Sequence, residues 1–131
     1  MSMLHFILWT EAFSVGNNTI DEQHLQIVDI LNELYAAKND VSQVAPKRVI
    51  DQLRRYTETH FAYEEDLMRR ANYPNLESHA ISHSWMTGKT RELAERVIGN
   101  PETLTNEAFD FSKKWWINHI RDSDTRYAPY I

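Results

Sequence analysis

The stretch that decides the fold runs from His60 to His83 and reads HFAYEEDLMRRANYPNLESHAISH. Its first half places Glu64 four residues after His60, and its second half places His83 four residues after His79. Residues four apart share one face of an α-helix, so each pair presents two metal-binding side chains one turn apart. The intervening residues 72–75, NYPN, predict a turn that brings the two faces together. The stretch therefore predicts two antiparallel helices that hold a metal between them.

The composition limits the classes of function. The chain has 131 residues, of which 42% are hydrophobic and 25% charged. These values are typical of a globular protein, and we expect a single domain over residues 1–131. A net charge of −5 and scattered Lys and Arg argue against binding to nucleic acid or to an anionic membrane surface. We also expect no membrane insertion, because no run approaches the roughly 20 apolar residues of a membrane helix. The absence of cysteine excludes disulfides and fits a cytoplasmic location.

Hydrophobic periodicity predicts four helices, at about residues 20–37, 46–70, 76–98 and 105–122. Residues 1–19 precede them as an N-terminal arm, which we expect to pack Phe6, Leu8 and Trp9 against the core. The connections are mostly short and no segment alternates like a strand. The predicted fold is therefore all-α, an up-down-up-down four-helix bundle with an N-terminal arm.

Five of the six histidines fall on the inner faces of these helices: His24, His60, His79, His83 and His119. A single inward histidine is ordinarily a core residue hydrogen-bonded to a neighbour. Five imidazoles and the carboxylate of Glu64 would be costly to bury in one core without a shared partner. A transition metal supplies that partner, because imidazole binds iron, zinc, copper and nickel. We assign the neighbouring Glu65 and Asp66 to the solvated face.

A further acidic ligand is suggested near the end of the last helix. Asp124 lies five residues after His119, which is about 140° around an ideal helix, and Asp122 is worse placed. Asp124 reaches the face of His119 only if the helix unwinds locally, and such unwinding costs least at a helix end. The residues alone leave this ligand undecided.

The spacing of these residues resembles the hemerythrin family in its single-domain bacterial form. The matching pattern comprises Asp21-x-x-His24, His60-Phe61-x-x-Glu64-Glu65, Tyr73-Pro74, His79-x-x-x-His83 and His119-Ile120-x-x-x-Asp124-x-x-Tyr127. All seven ligand positions expected from the family carry the expected residue types. The resemblance makes Asp124 the seventh ligand.

The resemblance implies a centre of two iron ions joined by an oxo or hydroxo bridge. The implied ligands are His79, His83 and His119 for one iron, His24 and His60 for the other, and Glu64 and Asp124 as bridges. Three imidazoles with three bridging atoms complete one octahedron, whereas two imidazoles leave one position open, as a ligand-binding metal site requires. The implied function is reversible dioxygen binding for oxygen carriage, storage or delivery by a protein that is not an enzyme. We expect a monomer whose partners are dioxygen and a protein acceptor of oxygen.

Two other classes of function stay open from the sequence. The same irons could serve an enzyme or a sensor that reacts with oxygen, peroxide or nitric oxide, although no separate general acid or substrate pocket is evident. A purely structural bundle is the remaining alternative.

The oxygen pocket implied by the resemblance is lined by Ile27, Phe61, Trp115, Trp116 and Ile120. Trp116 stands three residues before His119, where the family usually has leucine. The larger ring either fills core space that smaller residues elsewhere leave, or narrows the approach to the open iron position. In the second case we expect Trp116→Leu to change the rates of oxygen association and autoxidation by more than about threefold.

Overall fold

The computed structural model describes residues 7, 9–38, 42 and 44–131. The described part of the chain forms four long helices and no strand. These helices are α1 (Asn18–Ala37), α2 (Val44–Arg70), α3 (Leu76–Gly99) and α4 (Asn106–Asn118). A π-helical turn at His119–Asp124 and a short α5 at Thr125–Tyr127 follow α4, and 3-10 turns occupy Glu11–Phe13, Pro101–Thr103 and Ala128–Tyr130. The predicted all-α four-helix bundle is confirmed.

The observed helix boundaries follow local capping. The Asn17 side chain accepts a hydrogen bond from the Ile20 N–H at 3.0 Å, and the Thr105 hydroxyl accepts one from the Ala108 N–H at 3.1 Å. These bonds satisfy N–H groups that the first turns of α1 and α4 would otherwise leave unpaired. Regular α-helix in the fourth helix, which was predicted to end at about residue 122, stops at Asn118, and the chain continues across that position as a π-helix.

The buried histidines lie between two apolar clusters of the core. The larger cluster joins the four long helices and includes Phe61, which stacks on His83 with ring centroids 3.8 Å apart. The smaller cluster includes Tyr127, whose ring centroid lies 5.7 Å from that of His79. Apolar side chains therefore flank the polar centre of the bundle on both sides. None of the described helices combines the length and apolarity needed to cross a membrane.

The N-terminal arm is tied to α1 through its backbone. The Ile7 N–H donates to Asn32 Oδ1 at 2.9 Å, and the Ile7 carbonyl accepts from Asn32 Nδ2 at 3.0 Å. Trp9 packs against the larger apolar cluster, as predicted. Phe6 and Leu8, which were predicted to pack with it, lie outside the described residues.

Candidate metal centre

All seven predicted ligand side chains converge in the middle of the bundle, and none is more than 6% exposed. Their nitrogen and oxygen atoms form two groups, and within each group these atoms lie within 4.8 Å of one another. The three-histidine group consists of His79, His83, His119, Glu64 and Asp124, and the two-histidine group consists of His24, His60, Glu64 and Asp124. The two carboxylates belong to both groups.

Three of the four long helices contribute to this centre through their inner faces. His24 comes from α1, His60 and Glu64 from α2, and His79 and His83 from α3. The four-residue spacings on α2 and α3 place both members of each pair on the same side, as the sequence predicted.

The last histidine and aspartate come from the π-helical turn that follows α4. Hydrogen bonds in a π-helix join residues five apart, so residues at this spacing lie on one face. His119 Nε2 accordingly lies 3.1 Å from Asp124 Oδ1. The local unwinding that Asp124 required is thus present.

Glu64 directs its two oxygens to different histidine groups. Its Oε2 lies 3.1 Å from His24 Nε2 and 3.4 Å from His60 Nε2. Its Oε1 lies 3.2 Å from His83 Nε2. A carboxylate in this orientation can bind two cations at once.

Asp124 shows the same division. Its Oδ2 lies 2.9 Å from His24 Nε2, whereas its Oδ1 lies 2.9 Å from His79 Nε2 and 3.1 Å from His119 Nε2. Both carboxylates therefore have the geometry of bridges between the two groups.

Several polar atoms at the centre are buried without a hydrogen-bond partner. They are His60 Nε2, His79 Nε2, Glu64 Oε1 and both carboxylate oxygens of Asp124. His83 Nε2 also faces His119 Nε2 at 3.0 Å. Unpaired buried polar groups are costly, and cations bound between these nitrogens and oxygens would satisfy them. The donor set of imidazoles and carboxylates fits iron.

The pKa values of the histidines and carboxylates at the centre also indicate a site for bound cations. Burial lowers the pKa of His24, but its hydrogen bonds and charge interactions with Asp124 and Glu64 outweigh this and raise it to about 10. The same carboxylates outweigh the burial of His79 and raise its pKa to about 9. Burial raises the pKa of Glu64, yet the charge of His60 and the bond to His24 hold it well below its usual range. The two carboxylates thus stay ionised and stabilise positive charge between them. In the absence of metal this charge is the proton on His24 and His79, and bound metal would replace it when these imidazoles lose their protons.

Two ligand histidines are oriented by side chains on their outer faces. His60 Nδ1 lies 2.7 Å from Gln23 Oε1, and His83 Nδ1 lies 2.9 Å from Glu65 Oε2. Such contacts fix the ring so that Nε2 points to the metal. The assignment of Glu65 to the solvated face is wrong, because its half-buried carboxylate contacts His83 across the α2–α3 interface. Gln23 was missed, and its only sequence signal is its position beside His24.

Tyr127 orients one carboxylate. Its hydroxyl donates to Glu64 Oε2 at 2.6 Å from a fully buried position. Burial, together with the charges of Glu64 and Asp124, raises the pKa of this phenol far above its usual range, so it remains a neutral donor. The bond holds the Glu64 oxygen that faces the two-histidine group.

The aromatic residues of the predicted oxygen pocket lie beside both histidine groups, and Phe61 itself stacks on His83 of the three-histidine group with centroids 3.8 Å apart. Phe61 and Trp116 stack with centroids 5.2 Å apart, and their rings lie 6.0 and 6.1 Å from His60. Ile27 and Ile120 are buried in the same apolar cluster. Trp115 instead stacks flat on His119 of the three-histidine group, with centroids 4.4 Å apart.

Known proteins share both the sequence pattern and the fold. The family model described as the hemerythrin HHE cation binding domain matches residues 15–131. The chain is 33% identical to a bacteriohemerythrin from Stenotrophomonas maltophilia. The matching 125 residues cover 95% of this chain and 81% of that protein. It is 32% identical to a hemerythrin-like protein from Naegleria gruberi, over 94% of this chain and 92% of that protein. A crystal structure of wild-type hemerythrin matches with a TM-score of 0.85 and 27% identity, over 94% of this chain and 95% of that chain.

Proposed function

The chain belongs to the hemerythrin family, a family of iron-binding domains, and we propose that it binds dioxygen reversibly at a pair of non-heme iron ions. The proposed ligands are His79, His83 and His119 for one iron, His24 and His60 for the other, and Glu64 and Asp124 as bridges, with an oxo or hydroxo group completing the bridge. Oxygen carriage, storage or delivery is the role that this binding would serve.

The observation that carries the proposal is the unequal number of imidazoles in two groups that share their carboxylates. The group with three imidazoles has a full set of ligands, whereas the group with two leaves room for an external ligand. When bound, the iron pair supplies that open position and the two electrons that dioxygen takes up on binding and returns on release.

The side chains around the two-histidine group would keep water out. Phe61 and Trp116 contact His60, and both are almost completely buried. Excluding water from this side of the centre would disfavour proton transfer to the open position and so favour release of dioxygen unchanged. The hydrogen bond that His60 Nδ1–H donates to Gln23 Oε1 would hold the imidazole in place during binding and release.

We further propose that the protein is not an enzyme. The groups at hydrogen-bond or ion-pair distance from His60 are Gln23 and the candidate ligand Glu64, and the rings beside it are His24, Phe61 and Trp116. This composition favours binding over acid–base catalysis. The cytoplasmic location, the monomeric state and a protein acceptor of oxygen stay predictions from the sequence.

An anaerobic oxygen titration tests the proposal. The protein is loaded with ferrous iron, its iron content is measured, and visible absorption is followed as dioxygen is added and then removed under argon. We expect two irons per chain and an absorption change that saturates near one dioxygen per chain and reverses over repeated cycles. His60→Ala is the comparison variant and should lose this change. Irreversible oxidation, or turnover of peroxide or nitric oxide, would instead support an enzyme or a sensor.

A further inference from the structure

A polar cleft of about 230 Å³ lies outside the three-histidine group, between the start of α3 and the π-helical turn. The side chains relevant to its chemistry are Tyr73, His79, Ser82, His119, Ser123 and Arg126. All of them carry hydrogen-bond donors, and no carboxylate lines the cleft.

Two of the candidate iron ligands have an unpaired ring nitrogen on this side. His79 and His119 turn Nε2 inward, to 2.9 and 3.1 Å from Asp124 Oδ1. Their Nδ1 atoms therefore point outward, and neither makes a hydrogen bond within the described residues. This distinguishes them from His60 and His83, whose Nδ1 atoms contact protein side chains. An imidazole that binds metal through Nε2 carries a proton on Nδ1, and that proton requires an acceptor.

The other donors of the cleft are also free. The hydroxyls of Tyr73, Ser82 and Ser123 make no hydrogen bond with any described residue, although Tyr73 is only 6% exposed. Arg126 forms no ion pair within the described residues. The cleft therefore combines the donors of three buried residues, Tyr73, His79 and His119, with an exposed guanidinium at its edge.

The start of α3 adds to the positive potential. Asn75 occupies the N-cap position, but its side chain makes no capping hydrogen bond. The Leu76 N–H donates to the Tyr73 carbonyl at 3.2 Å, and the following N–H groups of the first turn have no side-chain acceptor among the described residues. They lie at the helix end where the dipole is positive, in a turn that also carries Glu77. Such an end favours an anion when other donors converge on it.

We propose that this cleft binds a small tetrahedral oxyanion such as inorganic phosphate, held by the Nδ1–H groups of His79 and His119 and by the Arg126 guanidinium. The inference rests on the proposed function, because ligation of iron through Nε2 leaves the proton on Nδ1. Water could accept from the donors, whereas an oxyanion would also form a charge-assisted pair with the Arg126 guanidinium. The cleft is smaller than the roughly 300–1,000 Å³ of pockets for drug-sized ligands, so the ligand is an inorganic ion rather than a nucleotide.

Calorimetric titration of the iron-loaded protein with sulfate and with phosphate tests the site, at constant ionic strength maintained with chloride. Sulfate is the main probe because it is a weak ligand for iron. We expect one saturable site per chain, weakened about tenfold or more in Arg126→Gln, which removes a charge-assisted hydrogen bond. Arg121→Gln is the matched control, since Arg121 is exposed beside Asp122 and does not line the cleft. Arg126→Lys, which keeps the charge, should retain part of the affinity.

Visible absorption of the diferric protein separates this cleft from other anion sites. Sulfate that accepts from two ligand imidazoles should perturb the spectrum with the same midpoint as the calorimetric titration. Heat without a spectral change, equal affinity in Arg126→Gln, or no saturation by about 50 mM sulfate would each overturn the proposal. Iron content and reversible oxygen binding are measured before sulfate is added, so a failure of the proposed function is distinguished from a failure of the anion site.

Discussion

Replacing Trp116 by leucine tests how dioxygen reaches the two-histidine group. The indole is 1% exposed, and its centroid lies 6.1 Å from His60 and 5.2 Å from Phe61. It therefore occupies space directly beside a proposed ligand of the open iron. This placement favours the interpretation that Trp116 narrows the approach, rather than one in which it fills a distant part of the core.

The cost in stability should be small because two effects oppose each other. Leucine is smaller than tryptophan by roughly 60 Å³, and the cavity and transfer penalties together destabilise the fold by about 2 kcal/mol. The Trp116 Nε1–H is buried without a hydrogen-bond partner, and its removal restores about 1–3 kcal/mol of the free energy of unfolding by eliminating this desolvation penalty. The free energy of unfolding should therefore change by less than about 1.5 kcal/mol. The new space is about twice the 30 Å³ that one water occupies, so it can admit dioxygen or water.

We expect Trp116→Leu to raise both the oxygen association rate and the autoxidation rate by more than about threefold, which corresponds to about 0.7 kcal/mol in each barrier. Stopped-flow mixing of the deoxygenated protein with dioxygen measures the first rate, and the slow loss of the oxygenated spectrum measures the second. Iron content should not change. Trp116→Phe should give intermediate rates, and Trp85→Leu, at a tryptophan that is 48% exposed, should give wild-type rates. Unchanged rates in Trp116→Leu with full iron content would refute this reasoning and leave Trp116 as a packing residue.

Three further predictions concern the centre itself. Glu64→Ala and Asp124→Ala should each lower the iron content below one per chain, because each carboxylate faces both histidine groups; two coupled irons in both variants would show that the ligand assignment is wrong. The metal-free protein should be most stable between pH 4.5, the ordinary pKa of Glu, and pH 6.5, the ordinary pKa of His. It should lose stability as the pH rises through the raised pKa values of His79 and His24, about 9 and about 10. The sign follows because the fold favours protonated His24 and His79, so a melting temperature that increases from pH 7 to 10 would contradict it. Glu65→Ala should weaken iron binding by about 10- to 100-fold, measured by competition with a chelator, because His83 loses its outer hydrogen bond; an unchanged affinity would show that this contact does not support the site.

The faces of the helices could be predicted because they depend only on local spacing. His60 and Glu64 share a face of α2, and His79 and His83 share a face of α3, wherever the two helices are placed. An imidazole or a carboxylate on an inward face needs a partner, so the residue types alone indicated a metal. This local information was sufficient for the bundle and for six of the seven candidate ligands, the five histidines and Glu64.

The outer contacts of the ligands could not be predicted in the same way. Glu65 directly follows Glu64, so helical periodicity turns it away from the inner face and suggests exposure. Whether it meets solvent or His83 depends on how α2 and α3 are rotated against each other, which the sequence of neither helix determines. The contact between Gln23 and His60 likewise joins α1 to α2. Residues that orient ligands therefore become visible only when the helices are packed.

Asp124 required information that helical periodicity does not contain. In an α-helix it would lie about 140° away from His119, and only the family pattern identified it as a ligand. The π-helical turn brings the two residues onto one face, although its sequence, HIRDSD, has neither the proline nor the glycine that commonly distorts a helix. The buried Asp124 carboxylate lies 2.9 Å from both His24 and His79, and these contacts supply the stabilisation that the local sequence lacks. The change from α-helix to π-helix after Asn118 thus coincides with contacts that Asp124 makes in the packed bundle, and these contacts are not visible in the local sequence from which the boundary near residue 122 was drawn.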